Sequence, residues 1–172
     1  MASAAEAAAR RSTGDEYAPL FARQAEGLPA AALDTLLLPE WGVDDWRKLL
    51  SGTSVVAYRT SEVVIQRGVT DRALYFVAAG VLEVGVSQFD GVTIAPLARI
   101  GAGSVIGEQA FFDGLARSAN VWAMTEGVLL RWDYETYKRF GAEEPQLARD
   151  LLFAVARVLS VRLRNTTVRV RR

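Results

Sequence analysis

Glu108 and Arg117 stand nine residues apart in a segment that reads Gly101-Ala-Gly-Ser-Val-Ile-Gly-Glu-Gln-Ala-Phe-Phe-Asp-Gly-Leu-Ala-Arg-Ser-Ala119. Val105-Ile106 reads as the end of a strand, and Gly107 permits close approach of a ligand to the backbone. Glu108-Gln-Ala-Phe-Phe112 can then form one helical turn whose first amides attract an anion. Arg117 follows with a guanidinium fork suited to phosphate oxygens, and Ser118 adds a hydroxyl. A carboxylate beside a phosphate is repulsive unless it accepts hydrogen bonds from a sugar hydroxyl, which is the role this leaves for Glu108. The chemistry expected of Gly107, Glu108, Gln109, Ala110, Arg117 and Ser118 is recognition of a nucleotide-like ligand with a compact phosphate. The alternative is that Glu108 and Arg117 form an ion pair kept as structure in an empty pocket.

Other chemistry is limited by composition. The 172 residues include 20 basic and 20 acidic side chains, but neither His nor Cys. Disulfides, Cys/His zinc sites, thiolate-held clusters and His-ligated haem are excluded. So are mechanisms built on a histidine base. A phosphodiesterase with Glu108 as base would need carboxylates clustered for a metal, and none are so spaced. No catalytic residue and no metal ligand is assigned, and the protein is expected not to be an enzyme. The N-terminal run Met1–Arg11 lacks the apolar centre of a signal peptide. No apolar stretch nears the roughly 20 residues that span a bilayer, so the expected location is the cytoplasm, away from membranes.

Three zones must position the candidate residues. Residues 1–42 are Ala-rich and helical in character, an extension whose first 14 residues offer no apolar stripe and should fray. Residues 43–165 form the main domain. Val43–Leu50 reads as an amphipathic helix with Asp44 and Asp45 in its first turn. Short strands follow at Ser54–Tyr58, Glu62–Gln66, Ala73–Ala78, Val81–Val86, Thr93–Ile100, Ser118–Met124 and Val128–Trp132. Broken by glycine turns, they predict a sandwich or barrel. Trp122 and Trp132 are read as core or rim aromatics rather than a base-stacking platform.

Helix returns at Tyr134–Phe140, and Pro145 opens a long one. Its residues Leu147, Leu151, Ala154, Val158, Val161, Asn165 and Val168 follow the 4-3-4-3 spacing of a two-stranded coiled coil, with Asn165 at a register-setting position. This seam predicts a homodimer, while a second stripe, Leu152, Val155, Leu159 and Leu163, is left to pack on the β domain. Residues 166–172 are a basic tail, read as a solvated helix end.

The central segment resembles the phosphate-binding cassette of cyclic-nucleotide-binding domains, roughly F-G-E-x-A-L followed by R-[STA]-A. Ile106-Gly107-Glu108-Gln109-Ala110-Phe111 and Arg117-Ser118-Ala119 carry the match. Gly68, Leu74-Tyr75-Phe76-Val77, Gly80 and Glu83-Val84 resemble the family's upstream segment. Arg117-Ser-Ala-Asn-Val-Trp-Ala123 and the helix after Pro145 are most similar to the bacterial catabolite-activator branch. The resemblance implies an α+β, mainly β fold: an antiparallel β-roll or jelly-roll barrel with N-terminal helices, a short cassette helix and a long C-terminal lid helix. It also implies that Glu108 accepts from a ribose 2′-hydroxyl and that Arg117 pairs with a cyclic phosphate. The amides of Gln109 and Ala110, together with Ser118, would assist.

Val105 replaces a common Phe and Gln109 a common Leu, and Val105 and Ile106 are the pocket-wall candidates. Ser61 stands where Gly is usual. On the lid, Arg162 falls near the position of a hydroxyl residue that contacts adenine, with Thr166 and Thr167 one turn later. The ligand so implied is a cyclic mononucleotide, cAMP first and cGMP second, with no other cofactor. No helix-turn-helix segment follows the lid, so the expectation is a stand-alone sensor that does not read DNA and signals to an effector protein through its C-terminal helix. The alternative is a degenerate, ligand-independent interaction module of the same fold. Arg117→Ala is expected to abolish binding and leave the fold intact.

Overall fold

The computed structural model describes residues 14–23, 35–87 and 94–170. Of the first 14 residues, expected to fray, Gly14 is instead buried, its N–H donating to the Thr53 hydroxyl at 3.2 Å, and the others lie outside the described residues. Among those described, the helices are α1 (Ala18–Arg23), α2 (Val43–Leu50), α3 (Glu108–Asp113), α4 (Tyr134–Glu143) and α5 (Pro145–Val170). The strands are β1 (Ser54–Tyr58), β2 (Val63–Ile65), β3 (Ala73–Ala79), β4 (Val81–Ser87), β5 (Ile94–Gly101), β6 (Val105–Ile106), β7 (Asn120–Ala123) and β8 (Gly127–Asp133).

The unbroken apolar run of β3 requires burial on both faces, and its residues from Ala73 to Ala78 are all buried. It sits inside a four-stranded sheet of order β1-β8-β3-β6, opposite a second of order β2-β7-β4-β5. Every pairing is antiparallel, and the strand order is that of a jelly roll, as expected from the sequence. Alternation along β3 divides the core in two. Ala73, Tyr75 and Val77 point between the sheets, with Ile65, Leu82 and Ile106. Leu74, Phe76 and Ala78 point to the other side, where the helices cover the sheet.

Helix α2 has the predicted bounds. Asp45 helps to start it, its carboxylate accepting from the Gly42 N–H at 3.0 Å. Trp46 faces the core and stacks on Phe21 of α1 at 5.0 Å. The N-terminal segment is therefore part of this core, with Ala18, Phe21, Leu36 and Trp41 all buried in it. Helix α4 outlasts its predicted end at Phe140 by three residues, because nothing opposes the helix until Pro145, which disfavours helical geometry at Glu144. Strands β2 and β7 are shorter than expected. A register irregularity lies between Val63 and Ile65, and the Arg67 N–H turns to the Asn120 side chain at 2.7 Å.

As far as Val158, both stripes of α5 serve this chain's own core. Leu147, Leu151, Ala154 and Val158, read as a dimer seam, are buried in this chain's own core. In the other stripe Val155 is buried as expected, whereas Leu163 is 66% exposed. Periodicity identifies apolar faces but not their partners, and here one core takes residues of both faces. The helix continues without a break to Val170, through the residues expected to begin a tail.

Ser61 has φ 68°, inside the left-handed region. For a residue with a Cβ this costs about 1–2 kcal/mol, partly offset in a glycine variant by the freer unfolded chain. Ser61→Gly should therefore raise stability by up to about 1 kcal/mol, read as a small increase in the urea midpoint.

Candidate functional site

The turn between β6 and α3 creates the site. Gly107 has φ 82°, and a Cβ there would lie 2.9 Å from the Ala73 carbonyl oxygen and collide with the Arg117 guanidinium. Only glycine lets the chain turn here with Arg117 packed against it. The carbonyl of Gly107 accepts from Arg117 Nη1 at 3.1 Å, while Nη2 donates to Asp71 at 2.8 Å and to the Ala73 carbonyl at 2.9 Å. Arg117 is only 5% exposed. Of the five N–H groups of a guanidinium, these bonds leave the second Nη1 hydrogen and Nε–H for an anion.

Asp71 is the support behind Arg117. It also accepts from the Tyr75 hydroxyl at 2.8 Å and from Arg131 at 2.9 Å. Burial pushes its carboxyl up, but the bonds from Arg117, Tyr75 and Arg131 outweigh that and hold it down to about 2. Because the folded value lies below the unfolded one, the stabilisation is complete above about pH 4 and is lost as pH falls towards 2. It amounts to about 1–2 kcal/mol once screening of a partly exposed group is allowed for. Urea midpoints of wild type and Asp71→Asn should converge over that interval; a difference constant down to pH 2 would contradict the assignment.

Glu108 and Arg117 do not pair with each other. Glu108 is 7% exposed, and its Oε1 lies 2.9 Å from Arg162 Nη1 of α5. Arg162 also donates through Nη2 to the Val105 carbonyl at 2.8 Å. The lid arginine, expected near the position of an adenine contact, thus holds the candidate sugar acceptor in this structure. Removing either partner would leave a charge mostly out of water, which is costly. Ser118 donates a short hydrogen bond to the Gln109 side-chain oxygen, joining the residue after Arg117 to the first turn of α3.

These groups face a cleft of about 520 Å3 between the β-roll and α5. That is within the range for small-molecule sites. Gly107, Glu108, Gln109, Ala110, Arg117 and Ser118 all line it, as do Ile106, Arg162 and Thr166. Val105 is the exception. On a two-residue strand its side chain faces opposite to that of Ile106, and it is fully buried in the helix-side core. The Thr166 hydroxyl donates to the Arg162 carbonyl at 3.0 Å, one turn back.

Sequence reasoning missed Asp71, Tyr75 and Arg131, because only folding brings them to Arg117. It also missed the apolar wall of Val84, Ile100 and Val121, whose period-two pattern marks a face but not a cavity. Asn165, read as a dimer register residue, lines the cleft instead. No group of three or more carboxylates that could hold a metal occurs among the described residues.

The family model described as "Cyclic nucleotide-binding domain" matches residues 55–144. A cyclic nucleotide-binding domain from Methylobacillus flagellatus KT superposes with a TM-score of 0.77 at 21% identity, covering 91% of this chain and 84% of that one. The catabolite activator protein of Thermus thermophilus is 28% identical with a TM-score of 0.64, over 78% of this chain and 59% of its own. A Rhodopseudomonas palustris protein named for a potassium channel is 36% identical over 91 residues, 52% of this chain and 21% of that protein. The chain spans about a fifth of the length of that relative.

Proposed function

The chain belongs to the cyclic nucleotide-binding domain family, and from that premise we propose that its cleft binds a cyclic mononucleotide and signals the bound state to a protein partner through α5. The observation that carries this is the convergence of Glu108 and Arg117 on one cleft, unpaired with each other, across from α5. Two residues that do not neutralise each other can address two parts of one ligand. Arg117 has hydrogens left for the phosphate, joined by the amides of Gln109 and Ala110 and by Ser118 once its hydroxyl turns away from the Gln109 side-chain oxygen. Glu108 takes the ribose 2′-hydroxyl after exchanging it for Arg162.

The base falls between the β-roll and the second half of α5. There Thr166 has committed its hydroxyl proton to Arg162, so its oxygen can only accept. Adenine offers an exocyclic amino donor where guanine has a carbonyl, so this reading ranks cAMP ahead of cGMP. The test is calorimetric titration and thermal melting with cAMP, cGMP and linear 5′-AMP. At a hundred times the Kd, stabilisation should approach about 2.7 kcal/mol, and at one common concentration it should fall in the order cAMP, cGMP, 5′-AMP. No response to either cyclic nucleotide, in protein shown to be free of bound ligand, would favour the ligand-independent module, for which the existing Glu108–Arg162 pair is the supporting observation.

The homodimer belongs to the same proposal, with a different face. Phe153 is 75% and Leu163 66% exposed; with Ala156 and Ser160 between them they repeat at 3-4-3 spacing on α5, suited to a second copy of the same helix. Phe153→Glu should shift the protein from dimer to monomer in light scattering; a wild type that is monomeric at high concentration would refute the dimer.

A further inference from the structure

Arg72 does not line the cleft, yet it touches both helices that a bound ligand would have to connect. Its Nε–H donates to the Phe111 carbonyl at 2.9 Å and its Nη2 to the Phe112 carbonyl at 3.2 Å. Both belong to the end of α3, where carbonyls lack onward helical partners and carry partial negative charge. The Leu115 N–H, which could have served Phe111, bonds instead to the Asp113 carboxylate at 2.8 Å. The flat face of the same guanidinium lies over the Tyr134 ring, with Cζ 3.4 Å from its centroid. The Arg72 carbonyl accepts from the Tyr134 N–H at 3.0 Å.

Tyr134 begins α4 and meets Phe111 edge-on at 5.7 Å. The fork of Arg72 therefore grips α3 while its face grips α4, a combination that a lysine ammonium cannot offer. The preceding residue, Asp71, anchors Arg117, so the segment that carries Arg72 is itself tied to the anion side of the cleft.

We propose that Arg72 is a positioning residue that couples the helix at the cleft to α4, so that a ligand-driven shift of α3 reaches α4 and, through it, α5. This rests on the reading of the cleft as a cyclic-nucleotide site. The test follows hydrogen exchange in intact wild type, Arg72→Lys and Arg72→Leu, without ligand and with saturating cAMP or cGMP. Without ligand, both variants should speed exchange at the end of α3 and in the first turn of α4 together, by about three- to tenfold. With ligand, wild type should slow exchange in both helices, whereas the variants slow it in α3 alone.

Variants that match wild type overturn the proposal. So does a uniform rise in exchange across the domain with the ratio of α4 to α3 responses unchanged, which is what a merely structural role would give. A wild type that answers neither nucleotide overturns the cleft reading instead, and the ligand-free comparison then still decides whether Arg72 joins the two helices.

Discussion

Arg117→Ala should abolish measurable cyclic-nucleotide binding and should also destabilise the free protein by about 3–5 kcal/mol. The first effect follows from the proposed phosphate contact, because a partly buried charged hydrogen-bonding group loses two or more orders of magnitude when truncated. The second follows from the structure. Arg117 is nearly inaccessible and satisfies Asp71 and the carbonyls of Gly107 and Ala73. Its removal leaves a carboxylate and two carbonyls short of donors. The expectation from sequence that the fold would be untouched is thus replaced by a fall in melting temperature of about 10 °C for a chain of this size. Arg117→Lys keeps the charge but not the fork, and should fall between wild type and Ala in both readings. An unchanged melting temperature would contradict the network drawn around Asp71, and unchanged binding would contradict the phosphate role.

Trp132→Ala should cost about 3–5 kcal/mol, the usual range for removing a large aromatic from a core. Trp132 is fully buried. Its ring stacks against Phe111 of α3 at 6.3 Å and meets Tyr137 and Phe140 of α4 edge-on at 5.8 and 5.6 Å. The substitution opens a cavity where the first strand sheet, α3 and α4 meet. Trp132→Phe should cost far less, because it keeps most of the packing and removes an indole N–H that is buried without a partner among the described residues. Chemical denaturation of both variants checks this pair. Were Trp132 a platform for a base, the alanine variant would lose affinity at nearly unchanged stability, and that result would overturn its placement in the core.

Local rules made much of this molecule readable in its residues. The bounds of α2 follow from apolar spacing and two early aspartates, and the turn into α3 from Gly107 followed by Glu108. β3 is legible because a run buried on both faces needs no partner to be named. What failed was non-local. Nothing near Arg117 in sequence points to Asp71, which lies 46 positions away and reaches it only through antiparallel pairing of distant strands. Val105 and Ile106 looked alike as wall residues because a two-residue strand has no visible period. The seam on α5 was a sound pattern assigned to the wrong neighbour, since heptad spacing serves a sheet of the same chain as well as a second helix. Arg162 was found as a lid residue, but its hold on Glu108 depends on the tilt of α5, which sequence does not encode locally.

Helix α5 is fastened unevenly, and this sets how the cleft can open. Its first half, as far as Val158, is sunk in the core, while Val161, Arg162, Asn165 and Thr166 border open space. It is a cantilever. The 12 residues beyond Val158 extend about 18 Å, so a tilt of about 10° at that pivot swings the tip by about 3 Å. At Arg162, only four residues past the pivot, the same tilt moves the backbone by about 1 Å, which stretches its bonds to Glu108 and to the Val105 carbonyl, and a larger tilt breaks them. Opening is then a local event of far lower free energy than unfolding. A ligand able to replace those two bonds can exchange with solvent many times within the lifetime of a single folded molecule.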